Sequence, residues 1–442
     1  MINDRTDVTM PEEHDPDLEV QKILLAASQH NLEALRTLLR TASANVQDPE
    51  TGYTPLHAAI AALAPEDGPA STDAQVKTNG HANGIANGGA LSGDVEAPEE
   101  DEEMELAKNT LKLLFQSGAI WNDLDKNNET PGCIAWRLGL KELYEIMVDA
   151  GVRAELLLNR LDGYEPLADD DDQDQGELGS AEVQDAERID GDAQIDTDHV
   201  EPDALPAEEI ETAPIESELQ ANVNSADYLR SDLTYTADRL LDADNNGVMM
   251  AWETEIMKKT ADLLVPRADL RILNIGHGMG IIDDFVQSKG PQTHHIIEAH
   301  PTVLAHMKRT GWPDKPGVII HEGKWQDILP QLIENGTTFD AIYFDTFAED
   351  YKALREFFSE FVIGLLDEGG RWGFFNGLGA DRQVCYDVYA KVVEMDLFEA
   401  GFDTEWETLE VPDLEREGEW KGVRRRYWTL GTYRLPVCTF IG

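Results

Sequence analysis

The sequence predicts an α/β unit with a seven-stranded, largely parallel sheet in its C-terminal half, preceded by an all-α unit of helical repeats. Three observations carry that reading. From Asp269 onward, short apolar runs alternate with helical segments, the pattern of a parallel sheet flanked by helices. The first of these runs ends in GHGMG, at 276–280, where glycine lets the backbone approach a ligand while turning into a helix. Upstream, TPLH at 54–57 and TPGC at 130–133 recur as helix openings.

Taken in order, strand one is LRILNIG, followed by the glycine turn and the helix IIDDFVQSK. Strand two is THHIIEAH, strand three GVIIHEG, strand four FDAIYFDTF and strand five GGRWGFFNG. A helix over about 382–400 precedes two strand-like stretches, TEWETLEV and RRRYWTLGTYRL. Seven strands with a hairpin-like end fit a Rossmann-like methyltransferase sheet better than a six-stranded dinucleotide fold.

In the front half, ETGYTPLHAAI resembles the ankyrin repeat. Thr54 and Thr130 lie 76 residues apart, which is one ankyrin period of ~33 plus roughly 43 more. The extra residues, at about 65–104, are rich in Gly, Asn, Ala, Asp and Glu and read as an insertion within a repeat. About three helical pairs are expected over 18–162, enough for stacked repeats to build a shared core. Such arrays bind proteins, so a protein partner is expected, with His57 a turn-stabilising residue.

Between the halves, 163–221 is expected to be a disordered acidic linker. From Asp169 to Gln220 it holds twenty acids and one base, Arg188, and no aromatic residue. An electrostatic lure for a basic substrate is the alternative reading of this stretch. The whole chain of 442 residues has a net charge of -52, which argues against docking on nucleic acid and favours a cationic protein partner. Three scattered cysteines cannot form a disulfide framework, and no apolar run approaches a membrane span. The expected location is the cytosol, the nucleus or both.

The catalytic half, 222–442, carries the chemistry. Glu298 ends strand two eighteen residues after Gly280, where an acid accepts hydrogen bonds from a ribose diol. Both NAD and S-adenosylmethionine offer that ribose. Asp345 ends strand four, at the sheet edge where open α/β folds hold ligands, although it could equally cap the following helix. Glu253, in GVMMAWET at 247–254, could likewise be only an acid in a first helical turn.

GVMMAWET, NIGHGMG, HIIEAH, GKWQD and IYFDTF occur in one order and spacing. Together they resemble guanidinoacetate N-methyltransferase, and the whole chain, with its ankyrin-like front, resembles the fungal type IV protein arginine methyltransferases. The resemblance implies S-adenosylmethionine as cofactor and methylation of the internal δ-nitrogen of arginine in a basic protein, ribosomal or otherwise. It also implies a cofactor site. His277, Gly278, Met279, Gly280, Ile281 and Ile282 would line the glycine loop, Glu298 would take the ribose beside Ala299 and His300, and Trp325 and Gln326 would border the adenine. Tyr228, Met249 and Met257 would close over the cofactor, although methionines at helical spacing commonly fill a core. Asp345 would reach both cofactor and substrate. Glu253 and Asp345 would hold the guanidino group between walls of Trp252, Met249 and Phe347.

Two departures bear on the resemblance. Asn274 stands where many methyltransferases place an acid at the end of strand one. The double-glutamate hairpin and Thr-His-Trp loop of the commoner arginine methyltransferases are missing from the sequence. Two other readings remain open at this stage: a small-molecule guanidino methyltransferase, and an ankyrin scaffold with an inactive cofactor-binding domain.

Overall fold

A computed structural model describes residues 16–65, 97–161 and 225–442. Among the described residues the front contains six helices: α1 (Pro16–Ser28), α2 (Leu32–Leu38), α3 (Pro55–Ala61), α4 (Ala97–Gln116), α5 (Pro131–Arg137) and α6 (Lys141–Leu161). Both α3 and α5 open on a Thr-Pro pair, where the missing N–H of proline is no loss. His57 ties the two turns together. Its Nδ1 accepts from the Thr54 backbone N–H (3.1 Å), which leaves Nε2 to donate to the Glu129 carbonyl (3.0 Å). The insertion expected to reach 104 ends sooner, because α4 begins at Ala97. Residues 66–96, and the acidic linker expected at 163–221, lie outside the described residues.

The second half begins with α7 (Ser225–Tyr228) and a small antiparallel sheet of β1 (Thr234–Tyr235), β2 (Arg239–Leu241) and β3 (Gly247–Met250). A 3₁₀ turn over Ala251–Glu253 leads into α8 (Thr254–Leu264). Then follow β4 (Arg271–Ile275), α9 (Ile281–Ser288), β5 (Thr293–Glu298), α10 (Pro301–Arg309), β6 (Val318–Glu322), α11 (Trp325–Glu334) and β7 (Phe339–Phe344). The chain continues through α12 (Tyr351–Glu356), a π-helical turn, α13 (Val362–Leu365), β8 (Leu366–Phe374), α14 (Gln383–Glu399), β9 (Phe402–Glu410), α15 (Leu414–Glu417) and β10 (Thr432–Phe440).

The main sheet runs β6-β5-β4-β7-β8-β10-β9, parallel through β8 and closed by the antiparallel β10 and β9. This is the seven-stranded Rossmann-like sheet that the sequence predicts. Its strand order reverses at β4, so a crevice opens beyond the carboxyl ends of β4, β5 and β7.

Two details differ from expectation. The last strand lies further on than RRRYWTLGTYRL suggested: 424–431 has no regular structure, and the strand runs from Thr432 through Pro436. Proline in a central strand argues against a strand on sequence grounds, since it offers the ladder no donor. Here β10 pairs along its length with β9 and meets β8 at Cys438↔Trp372. In β8 the Gly-Gly turn is a bulge inside the strand, between the pairs Phe339↔Leu366 and Ala341↔Arg371.

The helical front and the catalytic half share a core. Leu143 and Met147 of α6 belong to the same buried cluster as Val384, Val388 and Val392 of α14. Contact is close enough that a Cβ on Gly132 or Gly151 would lie 2.7 Å from Val384 or 2.6 Å from Val388. Beside them the Tyr144 hydroxyl donates to Asp387, which also receives Arg434 at 2.6 Å.

Candidate active site

The crevice at the strand ends is a cleft of about 660 Å³, open solvent included. Ile275 and Gly276 from β4, Glu298 from β5, Asp345 after β7, and Trp325 and Gln326 of α11 line it. Tyr228, Val248 and Met249 of the N-terminal segment complete the wall.

At one end the cleft is built from backbone. Gly276 has φ +92°, and a Cβ there would stand 1.9 Å from the Asp345 carbonyl oxygen, so only glycine allows the two strand ends to meet. Glu298 is buried, and its two oxygens accept the His277 N–H (2.9 Å) and the His300 N–H (2.7 Å). Its carboxylate is thereby fixed at the cleft floor. Tyr235 donates to the Gly278 carbonyl (2.9 Å), and the Met279 N–H meets Met249 Sδ at 3.2 Å, so the small sheet braces the glycine loop. Trp325 and Gln326 both donate to Glu349, while the buried Gln326 Oε1 has no partner among the described residues.

Two acids stand together at the other end: Asp345 lines the cleft, whereas Glu253 is not among its lining residues. Glu253 is buried, and its Oε1 accepts the Met250 N–H (3.3 Å) and the Tyr427 hydroxyl. Burial, then the nearby charge of Asp345, pushes its carboxyl up to about 8, against the pull of the Tyr427 and Met250 hydrogen bonds. Burial also pushes Asp345 up to about 7, with the Tyr343 hydroxyl opposing and the Asp283 charge adding. Neither acid pairs with a basic side chain among the described residues. Two carboxylates so placed are poised to receive a cation.

Of the expected cofactor residues, Tyr228, Met249, Gly278, Glu298, Ala299, Trp325, Gln326 and Asp345 line the cleft. The others stand behind it. His277 turns its ring into the core, where Nδ1 meets Asp283 Oδ2 at 2.7 Å. His294 meets the other oxygen at 2.9 Å. Burial alone would raise Asp283, but these two imidazoles hold it well below the usual carboxylate range. Asn274, in the place of the acid common elsewhere, donates to Asp283 (2.8 Å) and to the Gly276 carbonyl (2.9 Å), so it shapes the loop from behind. Gly280 caps α9, Ile282 is buried beneath it, and Met279 and Ile281 pack on the same cluster without lining the cleft. Met257 is fully buried on the inner face of α8 under Tyr343, whose hydroxyl approaches its sulfur at 3.5 Å. His300 is an N-cap, accepting from the Thr302 N–H (3.1 Å) and reaching the Tyr228 carbonyl (3.0 Å).

Sequence reasoning missed Tyr235, Glu349 and Tyr427. Only Glu349, four residues after Asp345, lay close enough to a motif to be noticed.

These residues suit S-adenosylmethionine. A fixed carboxylate faces the ribose position, an unpartnered amide oxygen stands by the expected adenine, and a Cβ-free loop allows close approach. Fold and site together define a class I S-adenosylmethionine-dependent methyltransferase. The guanidinoacetate N-methyltransferase family model matches residues 221–421. Protein arginine N-methyltransferase 2 of Aspergillus fumigatus is 59% identical over 435 residues, covering 96% of this chain and 97% of that one. Its counterpart in Neurospora crassa is 46% identical over 461 residues, covering 100% and 99%. The chain belongs to the protein arginine N-methyltransferase 2 family. Among solved structures, the O-methyltransferase TomG from Streptomyces achromogenes in complex with SAM is 17% identical, with a TM-score of 0.31, covering 44% of this chain and 82% of that one.

Proposed function

We propose that this arginine methyltransferase modifies the internal δ-nitrogen of arginine in a basic protein, with Glu253 and Asp345 as the guanidinium clamp. The observation that carries the reading is the acid pair, both members raised by burial and without a basic partner among the described residues. S-adenosylmethionine, when bound, supplies a sulfonium methyl group. The chain must bring the acceptor nitrogen in line with that methyl at about 3 Å.

A guanidinium, with a pKa above ~12, is a poor nucleophile. Charge-assisted hydrogen bonds from its two terminal nitrogens to Glu253 and Asp345 orient it and bias lone-pair density toward the third nitrogen. One carboxylate would take the proton that leaves the nitrogen as it accepts the methyl group. Trp252 and Phe347 keep water from the contacts. If the terminal nitrogens are the ones held, the chain-bearing nitrogen faces the methyl.

The front helices, read as ankyrin-like repeats, serve to recognise the substrate or another protein, in the cytosol or nucleus. A ribosomal protein is the substrate favoured by the family resemblance. The test is acid hydrolysis of protein labelled by this enzyme, followed by mass spectrometry. δ-Methylarginine is expected, and ω-methylarginine would reject the proposal.

A further inference from the structure

We propose that Tyr427 is a positioning residue that dictates which oxygen of Glu253 meets the substrate guanidinium, and that Trp252 holds Tyr427 to the task. The inference rests on the reading of Glu253 as a guanidinium ligand and adds to it. Tyr427 lies in the irregular segment between α15 and β10, beyond the 221–421 stretch that matches the guanidinoacetate family.

With Glu253 ionised, the direction of the hydrogen bonds is fixed. Trp252 Nε1, which can only donate, reaches the Tyr427 oxygen at 3.1 Å. A phenol has one proton, so that proton is left for Glu253 Oε1. The Met250 N–H also points at Oε1 (3.3 Å), while Oε2 accepts no hydrogen bond among the described residues. Glu253 therefore presents one oxygen and not a bidentate face.

The tyrosine ring is itself fixed. Trp420 meets it edge-on at 5.0 Å and Trp252 packs at 5.9 Å. A Cβ on Gly247 would lie 2.9 Å from it. On either side the backbone is pinned, with the Arg424 N–H on the Asn245 carbonyl (2.9 Å) and the Thr429 N–H on the Ala380 carbonyl (3.0 Å).

Phenylalanine would fill the same space, so the hydroxyl is what distinguishes orientation from packing. With Oε1 engaged, Glu253 contacts one terminal nitrogen and leaves the other to Asp345. A freed carboxylate could rotate onto both terminal nitrogens and displace the acceptor from line. The groups facing Glu253 are Asp345 and Tyr343 from the β7 side, Tyr433 from β10, and Tyr427. Of these, Asp345 favours the protonated carboxyl, whereas the Tyr427 hydroxyl favours the ionised one. Loss of the hydroxyl therefore makes Glu253 harder to ionise.

The experiment compares full-length wild type with Tyr427→Phe, Trp252→Phe and Glu253→Gln. The probe is labelled S-adenosylmethionine with the basic-protein fraction of a lysate from cells lacking the enzyme. Tyr427→Phe is expected to keep wild-type affinity for S-adenosylhomocysteine and to lose ~10–100-fold in rate at saturating cofactor. Its acidic limb of rate against pH should move up by about one unit. Trp252→Phe should show smaller changes in the same directions, and it carries the test if Tyr427→Phe fails to bind S-adenosylhomocysteine. An unmoved limb, in Tyr427→Phe if it folds and otherwise in Trp252→Phe, overturns the proposal. Glu253→Gln separates the two claims: if it turns over like wild type, the clamp reading fails, whereas an inactive Glu253→Gln beside an unmoved limb rejects only the role of Tyr427.

Discussion

The two ends of the cleft are built on opposite terms. At the cofactor end two buried acids are answered: Glu298 accepts two backbone N–H groups, and Asp283 sits between two histidines. At the acceptor end Glu253 and Asp345 are held up by burial without a basic partner among the described residues. Satisfied groups make a rigid seat, and strained ones make a site that is complete only when a cation arrives. Preorganisation here belongs to the cofactor end, whereas in the proposed clamp affinity for a guanidinium would come from relief of a standing electrostatic cost.

Three substitutions put that contrast to the test. The largest effect is expected from Gly276→Ala, which forces a Cβ against the Asp345 carbonyl at a left-handed φ. A loss of at least about 3 kcal/mol is expected. Thermal melting and binding of S-adenosylhomocysteine would read it, and a wild-type melting temperature would show that the seat is softer than described.

Next is Asp345→Asn, which removes an acid from the acceptor end and leaves the Glu298 seat intact. Turnover should fall by ~10³-fold. Binding of S-adenosylhomocysteine, measured by calorimetry, should persist within about tenfold. Loss of both together would erase the division between the ends.

The smallest effect concerns stability against pH. Glu253 has its folded pKa raised to about 8, so the folded state holds a proton that the unfolded state releases from about pH 4.5 upward. Stability from this group is therefore present below the unfolded value and is lost as pH rises toward 8. Glu253→Gln should melt with wild type at pH 5 and be more stable at pH 9 by about 1–3 kcal/mol, a few degrees. Equal melting at both values would mean that the ligand-free acceptor end is not strained.

Much of this was legible in the sequence, and the reasons are local. β4 to β7 announce themselves as apolar runs of five or six residues beside glycine or acidic turns, so Glu298 and Asp345 fell at strand ends as expected. The small sheet was not legible, since strands of two to four residues are too short to show alternation. β10 was misplaced because Pro436 hides a strand and RRRYW imitates one. His277 and Met257 were assigned to the cleft by motif position, but side-chain direction is set by partners distant in sequence, Asp283 and Tyr343. Tyr427 could not have been found, because its meaning depends on a hydrogen bond to a residue 174 positions away.

The glycines at 132 and 151, pressed against the valines of α14, have a further consequence. A module joined only by a flexible connection searches a volume, but one bolted through its core to the catalytic sheet occupies an address. A protein held by the front helices, as proposed above, would be set at a constant offset from Asp345. On the proposed reading, only an arginine at the matching distance along a captured protein would come to the clamp, so the seam would act as a gauge that selects residues by position.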